Sequence, residues 1–106
     1  MKQGSKIISE IKKLARRLFA NNEASVYLYG SRARGNASSD SDWDLLIITD
    51  DGLDSDDNFA NYAFPFAEIG WRYGAQITPL LYTRSQWQAE SSTAFHLNVE
   101  SEAIML

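Results

Sequence analysis

The chain contains no cysteine. Disulfides and thiolate metal sites are therefore excluded, and any metal chemistry falls to oxygen ligands or to His96, the single histidine. No apolar run approaches the roughly 20 residues that a membrane-spanning helix needs. Lysines occur near the N-terminus, but no apolar stretch follows them, so a signal peptide is not expected and the cytoplasm is the expected location. Proline occurs only at positions 65 and 79. Repeats, linkers and low-complexity stretches are missing too.

What remains is globular in character. Hydrophobic residues make up 44% and aromatics 12% of 106 residues, with three Trp. One domain spanning 1–106 is expected, with a core of modest size. The net charge of −4 conceals an asymmetry. Residues 1–34 carry eight basic and two acidic side chains, whereas residues 35–106 carry two basic and twelve acidic ones. Such a chain can dock an oppositely charged partner. Long nucleic acid is not an expected ligand, because most of the chain repels phosphate.

Apolar residues at Ile7, Ile8, Ile11, Leu14, Ala15, Leu18 and Phe19 recur at the helical period, and Ser5 is the expected N-cap. Ala24 to Tyr29 reads as a strand. Asp42 to Thr49 reads as a second, and its run Leu45 to Ile48 suits a strand buried on both faces. Asp50 to Asp57 forms an acidic loop. Residues 58–73 have helical spacing, with Pro65 predicting a kink or two pieces. Ala75 to Tyr82 reads as a third strand, which Pro79 places at an edge or bulge. Thr83 with Gln86 and Ser85 with Gln88 both fit a capping box opening a last helix. The alternation predicts an α/β (α+β) fold, a small mixed sheet of three or four strands flanked by helices.

The segment with the most chemistry follows the first strand directly. Gly30-Ser31-Arg32-Ala33-Arg34-Gly35 offers glycine for a tight turn and close phosphate approach, a serine hydroxyl, and two arginines expected to point in a similar direction. Asp42-Trp43-Asp44 opens the next strand. Asp42 and Asp44 are two apart, so a strand puts both on one face, with Trp43 on the other. Two adjacent carboxylates call for a cation, and Mg²⁺ suits a site built from one or two carboxylates plus phosphate and water.

GSRARG followed by SDSDWDLLI resembles the nucleotidyltransferase superfamily that includes DNA polymerase β. It is most similar to the minimal nucleotidyltransferases, whose later Ser-Pro, Tyr-Thr and Trp stretch ITPLLYTRSQW also resembles. The resemblance covers most of residues 5–106. It implies a polymerase β-type fold and transfer of a nucleoside monophosphate from NTP to a hydroxyl acceptor, with release of pyrophosphate. In the superfamily the serine and the second arginine, here Ser31 and Arg34, contact the triphosphate, and the Asp-x-Asp pair, here Asp42 and Asp44, would be catalytic and hold Mg²⁺. With Gly30 and Arg32 added for their own phosphate chemistry, the expected nucleotide-binding set is Gly30, Ser31, Arg32 and Arg34. The resemblance also implies a role as the antitoxin partner of a helical HEPN-domain protein. The superfamily's third carboxylate has no counterpart on the third strand, where Gln76 or Thr78 takes its place. A catalytically degenerate nucleotide- or partner-binding module is therefore the alternative, unless Glu68 or an acid from Asp50 to Asp57 approaches in space.

Other features have structural readings. Asp40, Asp42 and Asp44 imitate the start of a calcium loop, but Leu45 and Asp51 replace its required glycine and glutamate. His96 is expected to be structural or on the surface. Tyr27 and Tyr29 are expected to pack on the sheet, and Trp43, Trp71 and Trp87 in the core.

Overall fold

The computed structural model describes residues 3–21, 23–53 and 58–106. Asn22 and the acidic-loop residues Asp54, Asp56 and Asp57 lie outside the described residues.

The apolar stripe of the N-terminal segment forms helix α1, Gln3–Leu18, which buries Ile7, Ile11 and Leu14. Helical structure is already present at Gln3, so Ser5 lies inside the first turns and is not the cap. Strand β1, Ala24–Tyr29, leads into a one-turn helix α2, Ser31–Arg34, and then strand β2, Trp43–Thr49. After β2, residues 59–63 form a wide helical turn in which the Phe64 N–H reaches back to the Phe59 carbonyl. Helix α3, Phe64–Arg72, follows with Pro65 in its first turn. Proline has no N–H to continue the preceding ladder, so the helical stretch divides there.

Strand β3, Ile77–Thr83, runs into helix α4, Arg84–Ala89. Thr83 caps α4 in a reciprocal box. Its hydroxyl accepts the Gln86 N–H at 3.1 Å and its own N–H reaches the Gln86 side chain at 2.9 Å. Ser85 does not form the second box, because its N–H and hydroxyl both go to Asp51. A second cap at Thr93, accepting from the His96 N–H, starts a separate helix α5, Ala94–Glu102. The expected last helix is therefore two helices, followed by a short strand β4, Ile104–Met105.

The four strands stand in the order β3-β2-β1-β4. β2 is antiparallel to β1 and parallel to β3, and β4 is antiparallel to β1. β3 is thus an edge strand, which tolerates Pro79. Alternation sends Trp43, Leu45 and Ile47 to the α1/α3 face, where Ile11, Phe66 and Ile69 complete the main core. Leu46 and Ile48 go to the other face, against Trp87 of α4 and Val99 of α5. Burial of both faces explains the unbroken apolar run in β2.

His96 is buried and stacks on Trp87 with ring centroids 4.2 Å apart. Trp71 departs from expectation. It is 62% exposed and meets the Phe64 ring edge to face at 5.4 Å, because α3 turns Ile69 and Gly70 to the sheet and Trp71 away from it. Among the described residues, no helix is long and apolar enough to cross a membrane.

Ile47→Ala should lower the unfolding free energy by about 2–5 kcal/mol in urea titrations, as expected for a fully buried aliphatic chain. Trp71→Ala should cost less than about 1.5 kcal/mol, the scale of one partly exposed ring pair.

Candidate functional site

The site is built at the junction where β1 ends and β2 begins. The antiparallel register sets Tyr29 opposite Asp44, and the parallel register sets Thr78 beside Asp44 on the other flank. The row Tyr29, Asp44, Thr78 therefore crosses three strands on the α4/α5 face. Trp43 lies on the opposite face, buried in the core.

Gly30 makes the turn at φ 80°, a left-handed conformation that side chains disfavour. A Cβ here would also collide with the Asp44 carboxylate. Glycine is thus required twice, for its backbone angle and for the close approach of Asp44. Ser31 opens α2, and its carbonyl accepts the N–H groups of Gly35 and Asn36 at 3.0 and 3.2 Å. Gly35, at φ 83°, ends the turn.

The helical turn separates the two arginines by about 200°, so they do not point in a similar direction. Arg32 turns toward the loop before β2. Its guanidinium donates to the Ser41 carbonyl at 2.8 Å and the Ser39 carbonyl at 3.3 Å, and lies 4.3 Å from the Trp43 ring centre. It thereby holds the segment that carries Asp42. Arg34 turns toward the other side and forms an ion pair with Glu102 at 3.0 Å.

Glu102 is the residue that sequence reasoning missed. It ends α5, and its carboxylate also accepts the Gly30 N–H at 2.6 Å. These bonds hold its pKa below the ordinary value of 4.5, the Gly30 N–H contributing most and the Arg34 guanidinium adding to it. Asp44 responds in the opposite direction. Burial raises its pKa above the ordinary 3.8, the Asp42 charge raises it further, Arg34 offsets part of this, and Glu102 adds repulsion. Tyr29 is pushed up to about 12, first by burial and then by the charges of Asp44, Tyr82 and Glu102, so its hydroxyl stays protonated at neutral pH. A single glutamate at the end of a helix without a clear apolar stripe gives no signal by spacing. Only the pairing of β4 with β1, through Tyr27 with Met105 and Leu28 with Ile104, brings it to Gly30.

Among the described residues, the other candidate acids do not approach. Asp50 follows the far end of β2, six residues from Asp44, which is about 20 Å along a strand. It pairs with Arg84 at 2.7 Å. Glu68 lines a groove of about 640 Å³ between α1 and α3, with Lys13, Arg17 and Trp71. That groove is larger than the cavity of about 460 Å³ lined by Arg32, Asp40, Asp42 and Gln76. It shares no residue with the Gly30–Asp44 segment, whereas the smaller cavity takes in Asp42 but not Asp44. Gln76 is exposed and lies just before β3, with its carbonyl accepting the Trp43 N–H at 2.9 Å. Thr78 is the residue in register with Asp44.

Among the described residues, no three acidic or histidine side chains are close enough to cage a metal ion. Mg²⁺ does not require a cage of that kind, since it binds through one or two carboxylates with substrate phosphates and water completing the shell. The oxygen chemistry of Asp42 and Asp44 fits it, and so does the mutual repulsion that raises the Asp44 pKa.

A mixed sheet whose first hairpin carries a Gly-Ser turn, an arginine and a pair of strand-entry carboxylates defines a class of phosphate-handling domain. The chain belongs to the nucleotidyltransferase domain family, whose model matches residues 8–90. The described fold is the polymerase β-like one of that family. A chain from a solved crystal structure of a toxin–antitoxin with AMP-PNP is similar to it, with a TM-score of 0.53 and 19% identity. The match covers 84% of the present chain, which spans 66% of that chain's length. At such identity the likeness is one of fold. No curated protein matches the sequence.

The opposite pKa shifts yield paired expectations. The raised Asp44 pKa means that its ionisation costs stability, a cost absent below pH 3.8 and complete once pH exceeds the folded pKa. Asp44→Asn should therefore raise the urea midpoint at pH 7, and the gain should vanish in acid. Glu102 has a lowered pKa, so its contribution is present above pH 4.5 and lost as pH falls through the folded value. Glu102→Gln should lower the midpoint at pH 7 and converge on wild type in acid.

Proposed function

We propose that residues 1–106 act as one nucleotidyltransferase domain that binds a Mg²⁺-nucleoside triphosphate on the segment Gly30 to Asp44 and transfers the nucleoside monophosphate to a hydroxyl. The observation that carries this reading is the Gly30 N–H and the Arg34 guanidinium jointly holding an anion, the Glu102 carboxylate, beside Asp44. Donors placed for one anion suit a phosphate oxygen equally well. Gly30, Ser31 and Arg34 would grip the triphosphate. Arg32 would act beside them by holding the loop of Asp42, and it lines the adjoining cavity.

Asp42 and Asp44 would hold Mg²⁺. When bound, the ion neutralises phosphate charge and helps align an in-line displacement. The acceptor hydroxyl oxygen would bond to the α-phosphorus as the bond to the bridging oxygen breaks, its proton passing to water and pyrophosphate leaving. Tyr29 keeps its proton near neutrality, so it can donate a hydrogen bond but not serve as base. The similarity to a toxin–antitoxin chain supports an antitoxin role, and we propose a helical HEPN-type protein as partner.

The second reading is a nucleotide- or partner-binding module without brisk turnover. Thr78 favours it. A neutral hydroxyl stands in register with Asp44 where a third carboxylate would offset a second metal's charge and help to ionise the acceptor.

Calorimetric titration of Mg²⁺-ATP should show binding to wild type and little or none to Asp44→Ala. Equal affinity would remove Asp44 from the site. Arg34→Ala should weaken binding by about tenfold or more, since a charged hydrogen bond is worth roughly 1.5–3 kcal/mol. Arg84→Ala, whose guanidinium pairs with Asp50 at the far end of β2, should bind as wild type does.

The two readings separate in a pyrophosphate-release assay at saturating nucleotide. Slow release that rises severalfold or more in Thr78→Asp indicates a site weakened by its missing acid. Brisk release by wild type, unchanged in the variant, indicates that another group supplies the function.

A further inference from the structure

We infer that Glu102 is an internal competitor for the phosphate cradle, so that a nucleotide must displace its carboxylate before the triphosphate can be held. This inference rests on the cradle reading of Gly30 and Arg34 and adds its regulation. It concerns a residue beyond the stretch 8–90 that matches the family model.

The geometry is that of a bound anion. One carboxylate oxygen accepts the Gly30 N–H at 2.6 Å and the Arg34 guanidinium at 3.2 Å, and the other accepts Arg34 at 3.0 Å. The carboxylate thus takes both donors in the fashion of a phosphate. The contact also has an electrostatic cost, since Glu102 adds negative charge beside Asp44.

The tether that presents Glu102 is short. β4 makes two register pairs with β1, and Ile104 and Met105 in it are 47% and 64% exposed. Beyond them the hold is Leu106, half-buried against the main core with its N–H on the Val26 carbonyl at 2.8 Å, so opening this segment costs less than opening the core itself. Release requires only that the Glu102 side chain rotate away or the end of α5 lift. An incoming triphosphate brings more negative charge to Arg34 than one carboxylate does. While Glu102 stays in place, the competent cradle is a minor fraction of molecules, and apparent nucleotide affinity falls by that fraction.

The test uses residues 1–106 and two probes, Mg²⁺-ATP and inorganic tripolyphosphate, each titrated against wild type, Glu102→Ala and Glu102→Gln. Competition predicts that Glu102→Ala tightens both probes by about tenfold or more, with Glu102→Gln shifting the same way to a lesser extent. Backbone hydrogen exchange at residues 103–106 of wild type should also rise when Mg²⁺-ATP is added. If Glu102→Ala does not fold, the glutamine variant carries the measurement. Unchanged affinity in the variants, with wild type binding normally, overturns the competitor while leaving the nucleotide site standing. Weaker binding in the variants also overturns it, and makes Glu102 a ligand-side residue. If neither probe binds any of the three chains, the cradle reading itself falls and the competitor with it.

Discussion

The Asp44 carboxylate lies against the backbone of Gly30, and the rest of the site depends on that approach. Any side chain at position 30 would occupy the volume of the carboxylate. The approach follows from the antiparallel pairing of β1 and β2, which sets Tyr29 and Asp44 opposite each other and leaves Gly30 to turn beyond them. Once the turn is made, α2 divides the arginines between two tasks. Arg32 secures the loop that returns to Asp42, and Arg34 supplies positive charge beside the acids. Gly35 then ends the turn with a second positive φ.

Charge at this junction acts on stability in both directions. Glu102 is favoured as a carboxylate by the Gly30 N–H and Arg34, whereas Asp44 keeps its proton more readily, first through burial and then through crowding by the Asp42 and Glu102 charges, which Arg34 partly offsets. A folded domain tolerates such crowding because β2 is secured by apolar burial on both faces. Leu45, Leu46 and Ile47 are each at most 1% exposed. Roughly 1.5–3 kcal/mol accompanies each such side chain. A strained, acid-rich site anchored on an over-secured strand is a common arrangement where local rules give way to function.

Much of the fold was legible in the chain. The helical stripe from Ile7 to Leu18, the strands around Val26, Ile47 and Leu80, the Thr83 box, the division at Pro65 and the edge position of Pro79 all follow from local period and chemistry. The failures were also local in origin. Ser5 resembles a cap but lies within a helix that is already formed. Trp71 resembles core because tryptophan is bulky and apolar, yet the phase of α3 turns it outward. Thr93 caps a second helix that the continuous polar stretch after Trp87 concealed. Arg32 and Arg34 diverge because one helical turn forms where the glycines and serines predict a loop.

For the candidate site the division is sharper. The sequence by itself carried the glycine and serine after β1, the spacing of Asp42 and Asp44 at the entry of β2 and the absence of an acid from Ala75 to Tyr82, because each is a matter of residues a few positions apart. It also determined that β2 would be buried on both faces, since no polar residue interrupts Leu45 to Ile48. Tertiary structure alone decided that Thr78, and not Gln76, stands in register with Asp44, and that Tyr29 shares the row. It alone brought Glu102 to Gly30 and Arg34 across about 70 residues of chain. The physical reason is that strand register and the docking of β4 are set by cooperative burial and hydrogen bonding across the whole sheet, which no local pattern of residues encodes.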